Sequence, residues 1–154
     1  MKVNSDYEDL FKVLNDYNIR YLVVGGYAVM YHTEPRYTKD IDVWVIPEMN
    51  VADKVYEALK KFGAPLVGMS PGDFEDKKMI FQMGVAPVRI DVMVDLPGVS
   101  FELAWKNRKK VKYGKTSINV LGVSELVKAK KIANRTQDKL DLEKLLDDRR
   151  RRKK

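Results

Sequence analysis

The chain has 154 residues, 45% of them hydrophobic and 33% charged, a length that fits one domain burying roughly two-thirds of its unfolded surface. The absence of cysteine excludes disulfides and thiolate metal sites, a single histidine excludes a histidine-rich zinc centre, and no apolar run approaches a membrane span, so a soluble, cytoplasmic protein is expected. The net charge of +7 comes mostly from the six consecutive cations Arg149–Lys154; the body without them is nearly neutral, which predicts a basic tail rather than a basic face.

Ser5 with Glu8 three residues on reads as a capping box, and Leu10, Phe11, Leu14 and Tyr17 recur at helical spacing, predicting an amphipathic helix over 5–17. Tyr21–Val24 is a short apolar run, predicted to be a buried strand, and Gly25-Gly26 must turn the chain after it. Tyr27–Tyr31 is helix-compatible. Its free N–H groups and positive dipole end would face that turn and suit an anion such as a triphosphate; the other reading is a plain tight turn. In the loop that follows, Arg36 and Lys39 can reach phosphate oxygens or stay solvated, and His32 reads as structural. The second strand, 40–46, sends Asp40, Asp42 and Trp44 to one face and Ile41, Val43 and Val45 to the other. Same-face residues repeat about every 6.6 Å, so both aspartates can bend toward one divalent ion or toward a pair about 3.5–4 Å apart.

Asn50 is expected to cap a helix over 51–62 that Gly63 closes. Ser70-Pro71-Gly72-Asp73 signals a turn or cap within 64–78, a stretch otherwise read as a loop covering a substrate. Met79–Gln82 and Val88–Val94 form a predicted antiparallel pair about Gly84, with Asp91 on the face opposite Val88, Ile90 and Val92. A short helical turn at 101–105 and a hairpin of 109–113 with 116–121 come next. Helices follow over 125–133, capped by Ser124, and over 137–146, capped by Thr136, with Leu126, Val127, Ile132, Leu140, Leu142, Leu145 and Leu146 as their apolar stripes. Arg135, Asp138 and Asp141 read as a surface ion network, or else as a stitch back to the active face.

The motifs just described resemble the nucleotidyltransferase-fold superfamily. Its signature is a Gly-Gly or Gly-Ser turn after the first strand, Asp-x-Asp on the second and a third carboxylate on a later strand: here Gly25-Gly26, Asp40-Ile41-Asp42 and Asp91. Gly-Gly-Tyr-Ala-Val followed by Pro-Arg-Tyr-Thr-Lys-Asp-Ile-Asp is similar to the small AbiEii-like and minimal nucleotidyltransferase type, closely over 20–95 and loosely in the C-terminal helices. The resemblance implies an α/β (α+β) fold, a nucleotidyltransferase-like mixed β-sheet flanked by helices with further C-terminal helices, as one domain over 1–148 and a disordered tail over 149–154. It also implies transfer of a nucleoside monophosphate from a nucleoside triphosphate (NTP) to a hydroxyl of RNA, protein or a small molecule. Asp40, Asp42 and Asp91 would be catalytic and hold two Mg²⁺ (or Mn²⁺) ions, and Gly25, Gly26, Arg36 and Lys39 would hold phosphate. Many catalytic members carry serine at the second turn position; with Gly26 the backbone N–H groups must do that work. Small relatives serve toxin–antitoxin or phage-defence systems, which implies an antitoxin-like partner. Two alternatives stay open: a catalytically inactive binding or regulatory module of this fold, and a nucleic-acid binder that makes contact through the tail.

Overall fold

A computed structural model of the chain describes residues 3–35, 38, 40–84 and 88–152. Helix α1 (Ser5–Asp16) starts one residue earlier in its capping than the sequence suggests: Asn4 is the cap, its Oδ1 accepting from the backbone N–H groups of Asp6 at 2.9 Å and Tyr7 at 3.2 Å. Glu8 is not part of a capping box, because its carboxylate accepts instead from the Lys115 N–H at 2.9 Å and the Thr116 hydroxyl at 3.1 Å, tying α1 to a distant hairpin. Strand β1 (Tyr21–Val24) passes directly into α2 (Gly25–His32), and β2 (Asp40–Val45) leads through residues 46–48 into α3 (Met49–Phe62). Helix α3 is capped at Glu48, leaving Asn50 inside it, and ends on Gly63 in the left-handed conformation as expected.

Six strands among the described residues form one sheet in the order β3-β4-β2-β1-β6-β5, with β3 (Ile80–Met83), β4 (Arg89–Met93), β5 (Lys109–Tyr113) and β6 (Thr116–Val120) completing it. β2 pairs parallel with β4 and β1 parallel with β6; the remaining neighbours are antiparallel. Directly paired residues share a face, so one rung crosses four strands as Gln82–Asp91–Asp42–Val24. The rows on either side of it, Ile41–Ile90 and Val43–Val92, point the opposite way into the core. Phe11 of α1 stacks on Tyr21, the partner of Val45, with ring centroids 5.9 Å apart, which puts α1 on that apolar face.

The stretch read as a substrate loop belongs to the apolar face as well. Its 3-10 turn, Pro71–Glu75, buries Phe74 against Phe81 at 6.0 Å, on the side of the sheet away from the aspartates. The sequence reading of a cover over the substrate is therefore corrected: Phe74 needs a core partner, and burial of its ring outweighs freedom of the loop. On the aspartate face, Trp44 packs edge-on to Phe101 of α4 (Phe101–Lys106) at 4.9 Å, and α5 (Val123–Ala133) and α6 (Thr136–Arg152) follow. Gly122, not Ser124, caps α5, and Ser124 Oγ accepts from Arg149 Nη2 at 3.1 Å. Leu126, Val127 and Leu145 are buried as the stripe requires, whereas Ile132 and Leu140 are exposed. α6 continues through Arg152, so Arg149–Arg152 are helical rather than a tail beginning at 149; cations in a last turn are favoured by the helix dipole. No helix among the described residues is long and apolar enough to cross a membrane.

Candidate active site

Parallel pairing of β2 with β4 sets Asp42 directly beside Asp91, and alternation puts Asp40 on the same face one step away. The carboxylates of the three aspartates each offer an oxygen within 4.8 Å of the others. The three residues inferred from sequence therefore converge. Asp91 is buried, while Asp40 and Asp42 are partly exposed. Burial pushes the Asp42 carboxyl up to about 7, reinforced by the like charges of Asp40 and Asp91 and moderated by Lys130 and Arg89. Asp40 is raised too, by burial first and by Asp91 second.

Val24 pairs with Asp42, so the glycine turn opens where the acids sit. Gly25 has φ +65°, and a β-carbon added there would collide with the Asp42 Oδ2 oxygen. Glycine is required on both counts: the left-handed backbone, about 1–2 kcal/mol unfavourable for other residues, and the close approach of strand carboxylate to turn. Gly25→Ala should lower stability by about 2 kcal/mol or more in urea denaturation, through backbone strain plus displacement of Asp42. A loss below about 0.5 kcal/mol would contradict this tight approach.

Among the side chains that bear on the site, Arg89, Lys130 and Gln137 were not assigned from sequence. Arg89 donates from Nε to Asp91 Oδ1 at 3.1 Å and from Nη2 to Asp40 Oδ2 at 2.9 Å and Asp91 Oδ2 at 3.1 Å, so one guanidinium spans two of the three carboxylates. Its position two residues before Asp91 on the same strand was the available signal. Lys130 of α5, Arg135 between the helices, and Gln137 and Asp138 of α6 line the same cavity of about 690 Å³, together with Gly25, Gly26 and the three aspartates. Of the residues read as a surface ion network, only Arg135 is exposed; Arg135 and Asp138 instead reach the cavity of the aspartates, as the other reading, a stitch back to the active face, has it. Asp138 and Asp141 are fully buried and share the Lys130 ammonium, each at 3.0 Å. Burial would raise the Asp138 carboxyl, but hydrogen bonds from Arg135 and Lys130 outweigh it and hold it low. Lys130 could have been found as the member of the Leu126–Val127–Lys130 stripe that faces inward. On the far side of the acids, Ile80, Gln82 and Met93 form the opposite wall. His32 donates from Nε2 to the Leu121 carbonyl at 2.8 Å, a structural role. Arg36 and Lys39, expected at phosphate, lie outside the described residues.

A mixed sheet flanked by helices, with three carboxylates from two parallel neighbours beside a strand–glycine–helix turn, defines a nucleotidyltransferase-like protein. Residues 1–146 match the family described as "Nucleotidyltransferase of unknown function (DUF6036)", and the chain belongs to that family. Its fold is similar to the crystal structure of a "putative nucleotidyltransferase (TM1012)" from Thermotoga maritima, at 16% sequence identity, 95% coverage of this chain, 96% of that one and a TM-score of 0.60. No curated protein matches the sequence.

Proposed function

We propose that the protein is a metal-dependent nucleotidyltransferase that moves a nucleoside monophosphate from an NTP to an acceptor hydroxyl. The observation that carries this reading is the convergence of the Asp40, Asp42 and Asp91 oxygens within 4.8 Å beside the Gly25-Gly26 turn. An all-carboxylate donor set suits Mg²⁺ or Mn²⁺, and the Arg89 guanidinium already seated between Asp40 and Asp91 indicates a pocket that favours cations. When bound, two such ions neutralise phosphate charge and make an acceptor hydroxyl more acidic. Asp40, Asp42 and Asp91 are the residues that would hold them. The N–H groups at the start of α2 bind the phosphates, with Gly25 and Gly26 allowing close approach. Lys130 and Arg135, on the helical wall, add positive charge to the phosphate side, and Arg36 and Lys39 are assigned to it as well. Buried carboxylates hold Lys130 in place, so its charge is positioned before substrate arrives.

Incubation with labelled ATP, CTP, GTP and UTP in Mg²⁺ or Mn²⁺, with RNA and protein acceptors, should yield transferred label that Asp91→Ala abolishes. Mn²⁺ with an NTP should raise the melting temperature, and Asp40→Asn/Asp42→Asn should lose that rise. A full rise in the double variant would refute the site. A second reading, a module of this fold that binds without turnover, is favoured by the hold of Arg89 on two carboxylates and by Gly26 in the turn. Nucleotide binding with no transfer from any of the four NTPs would select it.

A further inference from the structure

The near-neutral charge of the body conceals a basic concentration. From Leu103 to Ser124 the chain carries six cations, Lys106, Arg108, Lys109, Lys110, Lys112 and Lys115, and no acid. Lysines on an edge strand such as β5 are commonly explained as protection against edge-to-edge pairing. That explanation does not reach Lys106 and Arg108, which precede the strand, or Arg149, which comes from α6. These three and Lys109 meet around a cleft of about 580 Å³ whose floor is the first turn of α5, and the four cations outnumber the two acids that line it, Glu125 and Asp148. Arg108 is fixed there: its guanidinium lies 3.8 Å from the Trp105 ring centroid and donates to the Trp105 carbonyl at 2.7 Å and to Asn119 Oδ1 at 3.2 Å. None of Lys106, Arg108 and Lys109 forms an ion pair among the described residues. The buried carboxylate of the floor, Glu125, accepts from Asn107 Nδ2 at 2.7 Å.

We propose that this cleft docks the phosphate backbone of an RNA that serves as the acceptor; the acceptor role rests on the transferase reading, the docking does not. Two helices run from one site to the other. α5 has its first turn on the basic cleft and Lys130 on the acidic cavity, and α2 has His32 at the first and Gly25 at the second. Seven residues separate the two ends on each helix, about 10 Å at 1.5 Å per residue. The two cavities therefore lie about two helical turns apart along α2 and α5, a span of a few nucleotides at roughly 3.4 Å each. An ordered guanidinium with no carboxylate partner and two lysines at its side match a row of phosphates.

The test is fluorescence anisotropy with a labelled RNA hairpin bearing a single-stranded 3′ end, without NTP or divalent ion, between about 50 and 200 mM salt. Lys106→Glu/Lys109→Glu should weaken binding at least about tenfold and reduce the slope of log affinity against log salt by about 1.5. Lys77→Glu/Lys78→Glu, the same charge change at exposed residues elsewhere, should stay within about twofold. Asp40→Asn/Asp42→Asn should bind the RNA at least as tightly as the parent, since two charges that repel phosphate are removed, so loss of the transferase reading would leave this result intact. Equal weakening by both lysine pairs, no RNA binding by the parent, or displacement of the RNA by poly-glutamate at equal charge would overturn the proposal.

Discussion

Asp42→Asn is expected to be more stable than the parent protein at pH 8 without divalent ions, by up to about 4 kcal/mol, and equal to it near pH 4. The reason is that the Asp42 carboxyl, raised to about 7 by burial and by the neighbouring Asp40 and Asp91, is held in an environment that disfavours its charge. Between pH 4 and 7 the folded protein retains a proton there that the unfolded chain has already released. The folded state binds more protons, so parent stability falls as pH rises through that window and is level above it. Asparagine keeps the shape and carries no charge, so the part of the pH dependence that belongs to this carboxyl should be missing from the variant. Urea denaturation of both proteins at half-unit pH steps in EDTA reads the difference directly. Adding Mn²⁺ should reverse the order at pH 8, since a cation relieves the repulsion only where three carboxylates remain. A variant less stable than the parent at pH 8 in EDTA would mean that the three charges are not held together as described.

Lys130→Met should destabilise the fold by about 3–5 kcal/mol, the range found when one partner of a buried ion pair is removed. Methionine preserves most of the side-chain volume, so the loss is electrostatic. Asp138 and Asp141, each at most 1% exposed, would lose the ammonium that both contact at 3.0 Å. Arg135 still pairs with Asp138 and Gln137 Nε2 still donates to Asp141 at 2.9 Å, which keeps the loss within that range. The discriminating companion is Lys130→Met/Asp138→Asn/Asp141→Asn. If uncompensated charge is the cause, neutralising both acids restores a large part of the stability; if packing is the cause, the triple variant is no better than the single. Under the proposed function neither form should bind NTP as the parent does, because Lys130 lines the cavity of the three aspartates. A midpoint shift in urea smaller than about 1 kcal/mol in Lys130→Met would show that the triad does not stabilise the helical layer.

The strands, the glycine turn and the three aspartates were legible in the sequence because each depends on short-range rules. Alternation with period two assigns a face to every residue of Asp40–Val45 and Arg89–Met93, and a Gly-Gly pair after a buried strand leaves few backbone options. Helix starts were less legible. Ser5, Asn50 and Ser124 all have the chemistry of a cap, yet α1 took Asn4, α3 took Glu48, and α5 took Gly122. Capping chemistry is worth about 1 kcal/mol, and the packing that fixes where a helix begins is larger.

By itself, the order of residues determined the sheet-forming segments, their buried faces, and which aspartates share a side with one another. Only the folded chain decided that β4 lies parallel beside β2, so that Asp91 meets Asp42 rather than a more distant strand, and that Arg89 spans two carboxylates. It also decided that Lys130, Asp138 and Asp141 form a buried triad and that cations 40 residues apart in the chain share one cleft. The physical reason is range. Backbone sterics and side-chain periodicity act over a few residues and are written locally, whereas charge pairing depends on distances of a few ångströms between segments far apart along the chain.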